Sequence, residues 1–322
     1  MRRALENQKA STVTPMPARN PPPLPTPAPP KSAAYIQALR AYSLPASVAS
    51  VLLGAALAGR GYFVADGRGA FSLTALLLTL LGGAFAHLAG NVFNDYYDFA
   101  RGVDTKPEQG SGVLTQGLLT KKEMFAFGTL LLLGAAVCGV ALLLLAPSAL
   151  TVIVPLAAFG ALAAVLYAAL LKRFALGDLL IMLSFGFGLT LGAYGVQTPV
   201  RTAEQVGQIA LLSLPLTLLD AILHANNIRD RADDRAAGVR TIATMLGERG
   251  NRALYAVLLF APVAIVALLV VGRVLPLACL SVLLTVPVLI KGYRTGDVPF
   301  VAQSHLLFGV LYALSVAASP SP

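Results

Sequence analysis

MFAFGTLLLLGAAVCGVALLLL, residues 124–145, contains no charged side chain. A run of about 20 apolar residues is long enough to cross the hydrocarbon core of a bilayer as an α-helix, which satisfies its own backbone polar groups there. The run is not isolated. Working outward from it, length and apolarity mark nine segments, at 36–58, 71–99, 124–145, 148–170, 177–197, 206–228, 252–272, 274–291 and 302–318. Hydrophobic residues make up 57% of the 322 and charged residues only 12%. That charged share is about half of what a soluble domain carries. The sequence therefore predicts an all-α membrane protein, with a nine-helix transmembrane domain over residues 34–322.

Residues 1–33 stand apart. Proline crowds the stretch from Thr14 to Pro30, including Pro21, Pro22, Pro23, Pro29 and Pro30. Such a composition cannot build a packed core and reads as a disordered, polyproline-like tail. It has no apolar h-region and so is not a secretory signal peptide. The other reading is a docking segment for a proline-binding module. The two cysteines, Cys138 and Cys279, sit in separate apolar segments and read as small hydrophobic fillers.

The net charge of +9 could suggest nucleic acid as a partner, but its placement says otherwise. Arg60, Arg68, Arg201 and Arg273 are the basic residues of the odd-numbered connections; the other 20 of the 24 fall in the tail through Arg40 and the even-numbered connections. This asymmetry is a positive-inside signal. It predicts a multi-pass protein of the cytoplasmic (inner) membrane, with the N-terminus cytoplasmic and the C-terminus outside. It accounts for the basic balance with the lipid bilayer as partner and no nucleic acid.

Two apolar segments end in polar stripes. The second closes HLAGNVFNDYYDFARGVDT, residues 87–105. His87, Asn91, Asn94 and Asp98 share one helical face, and Gly102 can end the helix before Asp104. The sixth closes LLDAILHANNIRDRADDRAAGVRT, residues 218–241. There His224, Asn227 and Arg231 share a face with Asp220 one turn earlier, and Asn226, Asp230 and Asp234 follow on the neighbouring face. Asn94 and Asp98 match Asn226 and Asp230 as a weak internal repeat. One such helix end is ordinarily a solvated terminus. Two, each with stacked amides and acids, point to a site.

Carboxylate and amide oxygens suit Mg²⁺, which takes one or two carboxylates, keeps waters and bridges substrate phosphates. Arg101, Lys106, Lys172, Arg173 and Arg229 lie nearby to meet the remaining phosphate oxygens, although each also serves as a topology signal. A secondary transporter would also carry intramembrane acids, but near the midplane at broken helices. Here the acids cluster at helix ends among cations, which favours a diphosphate.

At these residues the chain resembles the UbiA superfamily of intramembrane prenyltransferases. The first motif of that family, N-D-x-x-D with a third acid, is Asn94, Asp95, Asp98 and Asp104 here; the second, D-x-x-x-D, is Asp230 and Asp234. Within the superfamily the chain looks most like the 1,4-dihydroxy-2-naphthoate prenyltransferase branch of menaquinone and phylloquinone synthesis. The stretches that carry this are ALRAYSLPASVASVLLGAALA (38–58), NDYYDFARGVDT (94–105), ALGDLLIMLSFGFGLTLGAYGVQT (175–198) and NNIRDRADDRAAGVRTIATMLG (226–247). Asp178, where that branch usually has glutamate, together with Asp220 and His224, departs from the pattern. So does EQGSGVLTQGLLT (108–120), which lacks an arginine that several relatives carry.

The resemblance implies nine helices around a central cavity, with Mg²⁺ held by Asn94, Asp98, Asp104, Asp230 and Asp234. It implies a polyprenyl diphosphate donor and a small aromatic acceptor, 1,4-dihydroxy-2-naphthoate first, losing its carboxylate as CO₂. Homogentisate, 4-hydroxybenzoate or a glyceryl phosphate lipid are alternative acceptors. Asn91, Asn226, Asn227, Tyr96 and Tyr97 join the five basic residues as candidate substrate contacts. Tyr194 and Gln197 are more distant acceptor candidates. Asp220 and His224 read first as a pair that bonds to itself, second as part of the acceptor site. His87 and His305 are weaker candidates, His305 near a helix end where water can reach it.

Overall fold

The computed structural model describes residues 29–64, 67–169 and 177–319. The bulk of the proline-rich tail, with Lys172 and Arg173, lies outside them. Every regular element among the described residues is helical.

The first helix, α1 (Lys31–Leu39), ends at Arg40 in the left-handed conformation. A short 3₁₀ turn then leads into α2 (Pro45–Gly59), whose Pro45 occupies the first turn, where no backbone N–H is needed. α3 (Leu73–Ala100) starts where the Ser72 hydroxyl accepts from the Ala75 N–H. α4 (Lys121–Leu145) opens with a reciprocal capping box between Thr120 and Glu123. α5 (Leu150–Ala169) follows. A single path is then built from α6 (Gly177–Ile181), a π-helical turn (Met182–Gly188) and α7 (Leu189–Gln197). A second broken path joins α8 (Ala203–Ser213) to α9 (Leu219–Ala236) through a 3₁₀ stretch at Pro215, whose missing N–H disfavours continuous α-helix. Short α10 (Ile242–Met245), α11 (Glu248–Val271), a 3₁₀ stretch into α12 (Val286–Thr295) and α13 (Val298–Ala318) complete the chain.

Seven described helical runs are long and apolar enough to cross a membrane, and an eighth if α1 and α2, bent by 53°, count as one span. The segment expected at 148–170 is α5, but its described apolar stretch, Pro147–Ala163, is shorter than a span. The expectation of nine transmembrane helices is thus met by seven or eight among the described residues. The shortfall has a local cause at the first segment, where the left-handed Arg40 and Pro45 break the helix.

Small residues let these helices approach, as is usual where apolar burial alone does not distinguish helix from lipid. On α3, Phe93 lies over Gly128 of α4 and Phe85 over Gly134. α2 sits between α7 and α13, with Gly54 against the Thr190 carbonyl and Gly309 of α13 against Ala49. Cys138 and Cys279 are buried and unbridged, as fillers would be.

Candidate functional site

The two polar stripes end in the same way. At the end of α3 the Asp98 carbonyl accepts from the N–H groups of Val103 (2.9 Å) and Asp104 (3.3 Å), with Gly102 at φ +71°. At the end of α9 the Asp234 carbonyl accepts from Val239 N–H (2.8 Å), with Gly238 at φ +70°. Both are left-handed glycine caps that satisfy terminal carbonyls. The caps set a register different from the one expected. Asp98 corresponds to Asp234, Asn94 to Asp230 and Asn91 to Asn227. The pairing of Asn94–Asp98 with Asn226–Asp230 is therefore one helical turn out. The signal was in the sequence, since A-x-G-V-x-T occurs at both 100–105 and 236–241.

The two helix ends face one cavity. α3 and the loop after it contribute Asn94, Asp98, Asp104, Gln109 and Gly110; α9 contributes Asn226, Arg229, Asp230, Asp233 and Asp234; Arg40 closes the wall. Five expected site residues of the metal set, Asn94, Asp98, Asp104, Asp230 and Asp234, are thus brought together, with Asn226 and Arg229.

The cavity's cations are already engaged. Arg229 donates from Nε to Asp230 Oδ1 (2.7 Å), and from Nη2 to Asp230 Oδ2 (2.8 Å) and Asn226 Oδ1 (2.6 Å). The Asn226 amide in turn donates to Asp230 Oδ2 (3.3 Å). Lys106, at the rim, donates to Asp233 Oδ1 (2.6 Å) and ties the loop to α9. That hydrogen bond raises the Lys106 ammonium above its ordinary pKa.

Arg40 and Asp95 show a division of labour inside the first motif. Asp95 is only 3% exposed. It accepts from Arg40 Nη1 (3.0 Å) and from the Ser111 N–H (2.8 Å). It therefore anchors the loop and the bend after α1, while its neighbours Asn94 and Asp98 line the cavity. Gly110, at φ +58°, lets the loop pass these acids: a Cβ there would lie 2.8 Å from Asp104 Oδ2 and 2.9 Å from Asp95 Oδ1. Gly110→Ala combines a strained backbone with this crowding, and turnover is expected to fall about tenfold or more while the helical circular dichroism of the purified protein is unchanged.

Other expected contacts have structural employment. Asn91 donates to the Leu39 carbonyl (2.9 Å) and Ser43 Oγ (3.0 Å). Tyr96 and Tyr97 pack edge to face in an aromatic group with Phe93 and Phe125. Arg101 lies 5.6 Å over the Tyr97 ring. Asn227 is buried. None of these five lines the cavity. Tyr194 is buried and donates to the Tyr62 carbonyl (2.6 Å), and Gln197 clamps the backbone of Ser72. His87 bonds Ser43 and Ser47. His305 is not solvated but fully buried, because α13 packs it inside the bundle. Asp220 and His224 do not satisfy each other: Asp220 Oδ1 and His224 Nδ1 each lack a hydrogen-bond partner among the described residues. Sequence reasoning missed Arg40, Gln109 and Asp233. Arg40 was masked by its reading as part of the tail's topology signal.

The donor set suits a hard cation. Asp98, Asp104, Asp230 and Asp234 offer carboxylate oxygens and Asn94 an amide oxygen. Among the described residues no group of three or more acidic, histidine or cysteine side chains is placed to hold a metal ion by itself. An ion that takes one or two carboxylates and completes its shell with water and phosphate needs none. The residues present fit Mg²⁺.

Fold and site together define a polytopic helical membrane protein whose two acid-rich helix ends meet in one cavity. The chain belongs to the UbiA prenyltransferase family, whose model matches residues 48–298, and is a prenyltransferase. It is 33% identical over 305 residues to human UbiA prenyltransferase domain-containing protein 1, covering 90% of this chain and 85% of that one. Among solved structures it is similar to a UbiA homolog from Aeropyrum pernix K1 (TM-score 0.62, 20% identity, 89% of this chain and 98% of that one). It is also similar to a UbiA homolog from Archaeoglobus fulgidus bound to GPP and Mg²⁺ (TM-score 0.59, 14% identity, 89% and 100%).

Proposed function

We propose that this enzyme transfers a polyprenyl group from a prenyl diphosphate to a small aromatic acceptor, at a Mg²⁺ site on the cytoplasmic side of the inner membrane. The observation that carries this reading is the meeting of both acid-rich helix ends in one cavity with two arginines. The Archaeoglobus homolog, bound to GPP and Mg²⁺, supports the choice of donor and ion.

Asp98, Asp104, Asp230, Asp234 and Asn94 would hold Mg²⁺, which when bound supplies positive charge against the departing diphosphate. Arg229 and Arg40 line the cavity, and their remaining guanidinium N–H groups can donate to phosphate oxygens. Lys106 at the rim can leave Asp233 for the incoming anion, and exposure makes that exchange inexpensive. Lys172 and Arg173, outside the described residues, are further candidate phosphate contacts. Charge that grows on the leaving group is thus met by groups already in place, often the largest contribution to catalysis. The allylic C–O bond breaks, diphosphate leaves, and the allylic carbon bonds an electron-rich ring carbon. The ring then loses a proton or, from a naphthoate, CO₂. The prenyl chain lies among the helices and can reach lipid.

For the acceptor, the resemblance of the motif stretches to the naphthoate branch is the ground for proposing 1,4-dihydroxy-2-naphthoate. The test uses purified protein in detergent with Mg²⁺, prenyl diphosphates from C20 to C45, and this naphthoate beside homogentisate and 4-hydroxybenzoate, with products read by mass spectrometry. A prenylated naphthalenediol lacking the carboxylate is expected. Product from another acceptor alone would replace the naphthoate assignment, and no product from any pair would refute prenyl transfer to these rings.

A further inference from the structure

Asp220 is an acid inside a span, 5% exposed, whose Oδ1 has no hydrogen-bond partner among the described residues. Buried polar groups are ordinarily satisfied, and an exception in a well-packed bundle asks for an explanation. Here the exceptions gather. His224, one turn along α9 and fully buried, has Nδ1 unpartnered; its Nε2 has only a 3.4 Å approach to the Asn251 carbonyl. Ser184 Oγ, on the π-helical turn that packs against α9, is unpartnered as well. Asp178 lies on α6, which packs against α9.

No Lys or Arg occurs in residues 177–197, 203–228 or 298–318. An unpaired carboxylate in such surroundings is costly, and a neutral acid that exchanges hydrogen bonds with a ligand is the inexpensive state. The backbone supports a site here too. π-Helical turns inside α-helices recur at functional positions, and this one carries Ser184 into the layer.

The placement suits the second substrate. Asp220 precedes Asp230 by ten residues, about 15 Å of helix axis. That separation accommodates a diphosphate and an aromatic ring end to end. We propose that Asp220, with Asp178, Ser184 and His224 around it, forms the acceptor subsite, and that Asp220 hydrogen-bonds a ring hydroxyl of the aromatic acceptor. The unpartnered oxygen then finds its partner in the substrate, and the ring is fixed relative to the allylic carbon. The inference rests on the prenyl-transfer reading above.

The experiment measures steady-state transfer from geranylgeranyl diphosphate to 1,4-dihydroxy-2-naphthoate, with Mg²⁺, for wild type, Asp220→Leu, Asp220→Asn and Asp220→Glu. In Asp220→Leu the acceptor KM is expected to rise about tenfold or more, with the donor KM within about twofold of wild type. Asp220→Glu is expected to recover part of the loss. If Asp220→Leu does not fold, the same split in the near-isosteric Asp220→Asn decides. An unchanged acceptor KM, or a parallel change of both KM values with a lowered melting temperature, would overturn the subsite while leaving prenyl transfer intact. Wild-type protein inactive with every acceptor would overturn both.

Discussion

Asp98→Ala is expected to lower turnover at least about a thousandfold, and Asp234→Ala by a similar factor. The two residues hold the same position before equivalent glycine caps, one on each half of the chain. Each is buried, 3% and 7% exposed, yet lines the cavity. Groups that act on one diphosphate act as a unit, so the double variant should lose little more than either single one. The control is the elution profile and helical content of each variant in detergent, which should match wild type. Activity within about tenfold of wild type in a folded Asp98→Ala would remove that residue from the site.

The second large effect concerns the fold. Gly54→Ala is expected to destabilise the protein by about 1–3 kcal/mol, as overpacking of a close contact does. Its Cβ would lie 2.3 Å from the Thr190 carbonyl oxygen, 2.8 Å from Ala193 Cβ and 2.9 Å from Tyr194 N. Two of these atoms are backbone and cannot swing away. α2 and α7 would have to part, straining the bond from the Tyr194 hydroxyl to the Tyr62 carbonyl. Gly139→Ala is the control, because nothing lies within 4 Å of the Cβ it would add. It should melt no lower than wild type, since alanine is the better helix former. Thermal melts in one detergent compare the three proteins. Equal loss in both variants would mean that the α2–α7 approach is not what Gly54 serves.

Much of this was legible in the chain because membrane burial leaves a coarse signature. Residues 124–145 announce a span by lacking charge, and the match of most expected segments to helices follows from that. The breaks were less legible. Pro215 and Pro45 were visible, but Arg40 in a left-handed turn between α1 and α2 depends on its tie to Asp95, a partner 55 residues away. The acids Asp98, Asp104, Asp230 and Asp234 were found because acids in apolar helices are conspicuous. Which atoms line the cavity was not, because side-chain employment depends on tertiary neighbours. Asn91 looked equivalent to Asn94 on its helix face, yet it secures the Leu39 carbonyl. The repeat was seen, but its register was read from N-x-x-x-D rather than from the cap glycines Gly102 and Gly238. The one-turn error follows from trusting side-chain type over the backbone position that ends the helix.

The central claim is that two halves of the chain build one Mg²⁺-dependent diphosphate site. The most direct measurement is calorimetric binding of a non-transferable geranylgeranyl thiodiphosphate to the purified protein, with Mg²⁺ and with EDTA, in wild type, Asp98→Ala and Asp234→Ala. The expected result is binding by wild type with Mg²⁺ alone, and weakening of about tenfold or more in each variant. Binding that persists in EDTA, or that is lost in only one of the two variants, would contradict a shared metal-dependent site.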